Sequence, residues 1–300
     1  METTSRRNES KEFRFYYPYP RFPSVSVTGA NCGLNCKHCG GHYLGHMPNV
    51  DTPEKLREFS LKLEASEGTG LLVSGGSTPD GKVPLDGFIS TLRWIKENTS
   101  LIVNLHTGLL SWEQAEELAS TGADIASVDV IGSPDTIRDV YGLDATVDDY
   151  SETLHALVDA GVPQVAPHIC VGLDFGRTKG ELRALELCAE IEPEVIVLLG
   201  LIPTSGTPMA DVTPPSMDDI VKIASEARRI SPSSEVSLGC MRSRTDKAEL
   251  EWMAIESGVS RVALPARATV AKAKELGYTV KTINGCCTIP RSLEERALRG

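Results

Sequence analysis

From residue 24 onward, short apolar runs rich in β-branched residues alternate with charged, amphipathic stretches. The runs cover 24–28, 70–74, 101–106, 124–130, 164–173, 194–201, 235–238 and 261–264. Between them the spacing predicts helices over 52–66, 85–97, 111–120, 147–160, 179–191, 216–229 and 247–257. Residues of N-capping type mark several starts: Thr52 before Pro53, Ser111 with Glu113, and Ser216 before Asp218. Apolar strands separated by helices imply a parallel sheet with crossover connections. Eight such units over about 240 residues match a (β/α)8 TIM-type barrel, complete or slightly open. An open doubly wound sheet is the rival topology. A last extended run, 278–283, follows a helix over 267–276. If it lies parallel to the rest, it carries the residues after it to the C-terminal face, where barrels keep their active sites.

Three segments follow from this pattern. Residues 1–23 form a tail (1–12) and an aromatic, proline-interleaved arm (13–23) expected to lie extended over the surface. Residues 24–277 form the barrel, and 278–300 an extension expected to return to the top face. The chain of 300 residues is 41% hydrophobic and 24% charged, enough to bury a large core. Its net charge of −11 argues against a broad nucleic-acid footprint. No apolar run approaches a membrane span, and the polar first residues resemble no export signal, so a cytoplasmic location is expected.

The eight cysteines change the picture most. Cys32, Cys36 and Cys39 crowd one glycine-containing loop beyond the first run, while Cys286 and Cys287 are adjacent near the end. Cys240 closes the 235–238 run; Cys170, mid-strand, and Cys188, on an apolar helix face, read as structural. Three thiolates on one loop suit a zinc ion if His38 or His42 supplies a fourth ligand. No second CxxC pair follows, so they better suit an iron–sulfur cluster with one iron left open to a small molecule.

The CxxxCxxC spacing of Cys32-Gly-Leu-Asn-Cys36-Lys-His-Cys39 after a first barrel strand resembles the radical S-adenosylmethionine (radical SAM) enzymes. The resemblance implies a 4Fe-4S cluster whose open iron chelates S-adenosylmethionine. One electron then cleaves the sulfonium to give a 5′-deoxyadenosyl radical that abstracts hydrogen from an unactivated C–H bond. His38 stands where many members carry an aromatic residue. Ser74-Gly75-Gly76-Ser77 resembles the turn that holds the cofactor's amino group, with Ser77 replacing the usual acid. Ser127 and Asp129 resemble the strand end that contacts the ribose in biotin-synthase-like members, and Val171 and Gly172 the adenine-contacting one, without its usual glutamate. Gly206-Thr207-Pro208 matches a tripeptide shared by biotin synthase, lipoyl synthase and their relatives. His106 and His168 read as core or supporting histidines, and His42 and His46 as a polar loop over the cluster.

The longer wording, 27–44 and 74–85, resembles an archaeal group of biotin synthase homologues that includes the octanoyl-acting subunit of two-component lipoyl synthase. That resemblance implies sulfur insertion at C8 of a protein-bound octanoyl chain, with sulfur drawn from a second, sacrificial 4Fe-4S cluster. Cys240, Cys286 and Cys287 are its candidate ligands, with Ser292 or Arg242 as candidates for the fourth position. Leu109, Ile131 and Ile202 are candidates to line the path of the acyl arm. The implied partners are an octanoylated lipoyl domain or H-protein, a second radical SAM subunit, and a ferredoxin- or flavodoxin-type electron donor. Insertion into dethiobiotin, a radical maturase or methylase activity, and a non-catalytic Fe–S or zinc scaffold remain open alternatives.

Overall fold

The computed structural model describes residues 12–298, so most of the expected tail and residues 299–300 lie outside it. Ten strands form one sheet: β1 (Glu12–Tyr16), β2 (Ser24–Ser26), β3 (Gly70–Ser74), β4 (Ile102–His106), β5 (Ile125–Asp129), β6 (Gln164–Val171), β7 (Val195–Gly200), β8 (Glu235–Leu238), β9 (Arg261–Ala263) and β10 (Thr279–Ile283). Every ladder is parallel, in the order β10-β1-β9-β8-β7-β6-β5-β4-β3-β2. The crossovers carry α1 (Pro53–Ala65), α2 (Ile89–Asn98), α3 (Trp112–Ala119), α4 (Pro134–Thr136), α5 (Val147–Asp159), α6 (Glu181–Glu190), α7 (Met217–Ile230), α8 (Lys247–Glu256) and α9 (Arg267–Glu275). A final short helix, α10 (Arg291–Glu294), follows β10. The Thr52 cap and the Ser111 and Ser216 capping boxes form as their residue types predict.

The sheet curls into an open α/β barrel, as the run-and-helix pattern implies. No ladder joins β10 to β2 among the described residues, but the two ends meet where Thr69 Oγ1 donates to the Asn284 carbonyl at 2.5 Å. Strand side chains alternate between two cores. Val73, Val103, Leu105, Val128, Ile169 and Leu198 pack outward under the helices. Ile102, Ile125, Ala166, Val195 and Val197 point into the lumen.

Two expectations about the chain ends need correction. The aromatic arm does not lie over the surface in its first part: residues 12–16 are β1, inserted between β9 and β10. Phe13 and Phe15 alternate into the helix layer, and Arg14 and Tyr16 into the lumen, before Pro18 ends the regular pattern. The extension after β10 also takes another route. It enters the barrel at the N-terminal ends of the strands, where Arg291 N donates to Glu194 Oε1 at 2.8 Å and Arg296 reaches the Ser100 carbonyl.

That floor is held by buried charges. Arg261, fully buried, donates to the carbonyls of Cys287 (3.2 Å) and Ile289 (2.6 Å), to Glu194 (2.9 Å) and to Glu235. Arg14 pairs with Glu235 at 2.6 Å and Glu294 at 3.1 Å, and Tyr16 donates to Glu294 at 2.6 Å. One layer higher, Asn104 Nδ2 donates to Thr288 Oγ1 at 3.0 Å, while Ser127 Oγ donates to Asn104 Oδ1 at 2.9 Å. The segment 286–289 is thereby tied to the middle of the lumen. No described helix is long and apolar enough to cross a membrane.

Candidate active site

The C-terminal face opens on a cavity of about 230 Å³ that gathers the cysteine trio, the β3 turn and the ends of β4 and β5. The trio's loop depends on a close backbone approach. A Cβ on Gly76 would lie 2.0 Å from the Asn31 carbonyl oxygen and 2.6 Å from Cys32 Cα, so only glycine fits there. Thr28 links the same two loops: its Oγ1 accepts from Gly76 N at 2.7 Å and donates to the Asn31 carbonyl at 2.8 Å. Gly33 N donates to the Ser77 carbonyl at 2.6 Å, and Lys37 N to that of Val140 at 2.8 Å. The loop turns back through Gly40 and Gly41, whose φ values of 50° and 73° favour glycine.

Within this loop Cys36 is buried and Cys32 and Cys39 are half-buried. A hydrogen bond from Cys36 lowers the Cys39 thiol, helped by His38 against the cost of burial. The same bond, with burial, raises Cys36, and Cys32 adds its field. Three thiols, one of them held as thiolate, suit soft iron. Among the described residues no three His, Cys, Asp or Glu side chains form a group of the kind that holds a metal ion. His38 lies against Tyr141, ring centroids 5.2 Å apart, and its Nδ1 is buried without a partner.

Asp129 sits across the cavity. Burial alone would raise its carboxyl, but His106, with His168 and His38, holds it at about 2. Its partner is His106 Nε2 at 3.4 Å, whose ring also approaches Ser74 Oγ through Nδ1 at 3.3 Å. His106 opposes its own burial and is raised by Asp129 and, from below, by Cys286. His168 is lowered to about 4 by burial and is therefore neutral at pH 7; its Nδ1 lies 2.9 Å from the Ala166 carbonyl.

The sequence-derived positions divide accordingly. Ser74, Gly75, Gly76, Ser77 and Asp129 line the cavity with the trio, as do Leu109 and Ile131. Ser127 does not: it is buried a layer below, and its hydroxyl is committed to Asn104. Val171 turns into the helix layer, and Gly172 N donates to Glu181 at 2.9 Å, so neither borders the cavity. Gly206 and Ile202 lie in the loop after β7, outside the lining; Tyr43 joins that loop to the trio's through Thr204 at 2.9 Å. His42 and His46 pack on each other at 5.3 Å and are likewise outside it. Tyr141 and Tyr150 line the cavity without having been singled out, since neither belongs to a motif.

The second cysteine group comes together from two directions. Cys240 is exposed just past β8, and Cys286 reaches the lumen from the floor segment. Burial and then the charge of Cys286 raise the Cys240 thiol, and Cys240 in turn helps to raise Cys287. Hydrogen bonds from Cys287 and Thr288 lower the Cys286 thiol, and Cys287 is raised in turn. Neither candidate for a fourth ligand joins them. Arg242 is buried against Glu251 at 2.5 Å and donates to the Ala263 carbonyl at 2.9 Å, and Ser292 is exposed on α10 at the floor.

Comparison with known proteins agrees with this site. The family model "Radical SAM superfamily" matches residues 26–187. A biotin synthase from Halorhodospira halophila is 26% identical over 256 residues, covering 81% of this chain and 75% of that protein. Among solved structures, the hydrogenase maturase HydG superposes with a TM-score of 0.64 at 19% identity, over 87% of this chain and 58% of that one. Methylornithine synthase (PylB) gives 0.63 at 15% identity, over 90% and 84%. With the trio at the mouth of a curled parallel barrel and a family model covering more than half its length, the chain belongs to the radical SAM superfamily.

Proposed function

We propose that this chain inserts sulfur into an unactivated C–H bond, at C8 of a protein-bound octanoyl chain in lipoyl cofactor formation. One observation carries the reading: Cys286 and Cys287 stand in the lumen, with Cys240 just past the end of β8, and Cys286 is close enough to act on His106 in the cavity wall. A carbon radical formed in the cavity needs its sulfur donor fixed within bonding reach, not diffusing in water. Cys240, Cys286 and Cys287 are the residues to hold a second 4Fe-4S cluster there, and Cys32, Cys36 and Cys39 the first. When bound, the first cluster supplies the electron that cleaves S-adenosylmethionine, and the second supplies sulfur.

The chain's own residues do the rest. Asp129, ionised against His106, is the acceptor for a ribose diol. The Ser74–Ser77 turn offers backbone groups to the cofactor's amino end, and Leu109 and Ile131 offer the acyl chain an apolar wall. The matching partners are an octanoylated lipoyl domain or H-protein, a second radical SAM subunit acting at C6, and a low-potential ferredoxin or flavodoxin in a reducing cytoplasm. The biotin synthase relatives favour one second reading, sulfur insertion into dethiobiotin.

Reconstituted protein, given S-adenosylmethionine, dithionite and each substrate in turn, separates the two. Octanoyl carrier deuterated at C8 is expected to pass deuterium into 5′-deoxyadenosine and to gain one sulfur. Turnover of dethiobiotin with none on the carrier would replace the proposal. Radical cleavage without sulfur transfer to either would point to a maturase or methylase.

A further inference from the structure

The loop that carries the cysteine trio is fastened to a phenol to which the reaction so far gives no part. Resting on the trio as the holder of the first cluster, we propose that Tyr141 donates a hydrogen bond to the Cys36 side of that cluster and makes it easier to reduce.

Tyr141 ends a turn wider than that of an α-helix: Ile137–Tyr141 winds so that Gly142 N reaches back to the Ile137 carbonyl. Gly142, at φ 66°, stops the turn, and such π-turns are frequent at functional sites. Here the turn is bound twice to the trio's loop. The Val140 carbonyl accepts from Lys37 N at 2.8 Å, and the Tyr141 ring lies against His38, centroids 5.2 Å apart. Both contacts fall between Cys36 and Cys39, so the phenol is placed by the loop that carries the thiols. Its side chain lines the cavity together with all three cysteines. Among the described residues its hydroxyl has no hydrogen-bond partner.

Burial, and then Asp129, Tyr150, Cys36 and Cys170, push the phenol well above its ordinary range, so it stays protonated and able to donate. Of the acceptors among those groups, Asp129 faces His106, and burial keeps Cys170 a neutral thiol. Cys36 remains, and as an iron ligand it is a thiolate. Hydrogen bonds to its sulfurs are one of the levers on the potential of an iron–sulfur cluster. A donor stabilises the reduced cluster, which carries one more negative charge, more than the oxidised one. The proton stays on the Tyr141 oxygen throughout, and the electron comes from the external low-potential donor.

The test uses the full chain carrying Cys240→Ala, Cys286→Ala and Cys287→Ala, so that any cluster seen belongs to the trio. After anaerobic loading with iron and sulfide, this background is compared with the same chain carrying Tyr141→Phe, which keeps the ring against His38 and loses only the hydroxyl. Redox titration followed by EPR, without S-adenosylmethionine, gives the midpoint potential. ENDOR spectra of the reduced cluster in water and in deuterium oxide give the couplings of exchangeable protons. Tyr141→Phe is expected to move the midpoint to a more negative value, so that the ratio of reduced to oxidised cluster at one fixed potential falls by about tenfold. One exchangeable-proton coupling should vanish with it. An unchanged midpoint or an unchanged set of couplings would overturn the assignment. So would a shift seen only with S-adenosylmethionine present, which would give the hydroxyl to that molecule instead. A background chain that binds no iron at all would take down the trio's cluster as well.

Discussion

Replacing Arg261 with Met keeps the length of the side chain and removes its charge and all its hydrogen bonds. In the barrel floor this takes from Glu235 one of its three cations, deprives Glu194 of its arginine, and leaves the carbonyls of Cys287 and Ile289 without their donor. Removing one partner from a buried ion pair costs about 3–5 kcal/mol, because the other charge stays behind in low dielectric. Arg14 and Arg291 still face Glu235 and hold the loss within that range rather than above it. At roughly 2 °C per kcal/mol for a chain of this size, thermal unfolding should move down by about 6–10 °C. Urea and thermal melts followed by circular dichroism measure it, with Arg183→Met at an exposed pair as a control expected to change stability by less than about 1 kcal/mol. Hydrogen exchange should also speed up at residues 286–289 before the strands loosen. If Arg261→Met loses no more stability than the surface control, the floor network does not anchor the C-terminal segment.

Three further outcomes follow from the geometry. Glu235 would be raised by burial, but Arg291, Arg261 and Arg14 hold it at about 2, below its ordinary 4.5. Its stabilisation is complete above pH 4.5 and lost as pH falls toward 2, so urea midpoints should drop across that window and drop less in Glu235→Gln. Gly76→Ala must push the trio's loop off the β3 turn, and a shift near 1 Å should slow S-adenosylmethionine cleavage by about 100-fold with the fold intact; an unaffected rate would disprove the close approach. Asp129→Asn should weaken S-adenosylmethionine binding by about 1.5–3 kcal/mol while iron content is kept, and calorimetry showing equal affinity would make Asp129 a partner of His106 alone.

Much of the outer layer was legible because strand and helix periods differ and cap residues sit where helices begin. The trio's loop, the Ser74–Ser77 turn and Asp129 were legible too, since strand C-terminal ends in a parallel barrel converge on one face. The lumen was not. Arg14, Asn104, Glu235 and Arg261 carry polar side chains that look like surface in sequence, yet they are buried because they satisfy one another and the returning C-terminal segment. The same effect hid β1: Phe13 and Phe15 alternate with Arg14 and Tyr16, and a buried arginine makes the alternation read as an exposed arm. Ser127 was placed on the cofactor because it ends a strand, but it lies two residues short of Asp129 and hydrogen-bonds within the lumen.

The position of β1 has a consequence for how the molecule is made. The first described strand can find its two neighbours only after β9 and β10 have been synthesised, some 250 residues later on the ribosome. Until then the growing sheet has a free edge at every stage, and the lumen stands open from the side and from below. The arrival of β10 covers the free side of β1, and the residues after it close the floor and deliver Cys286 and Cys287 in the same event. Closure of the lumen therefore waits on β10 and the segment after it, which bring Cys286 and Cys287 inside.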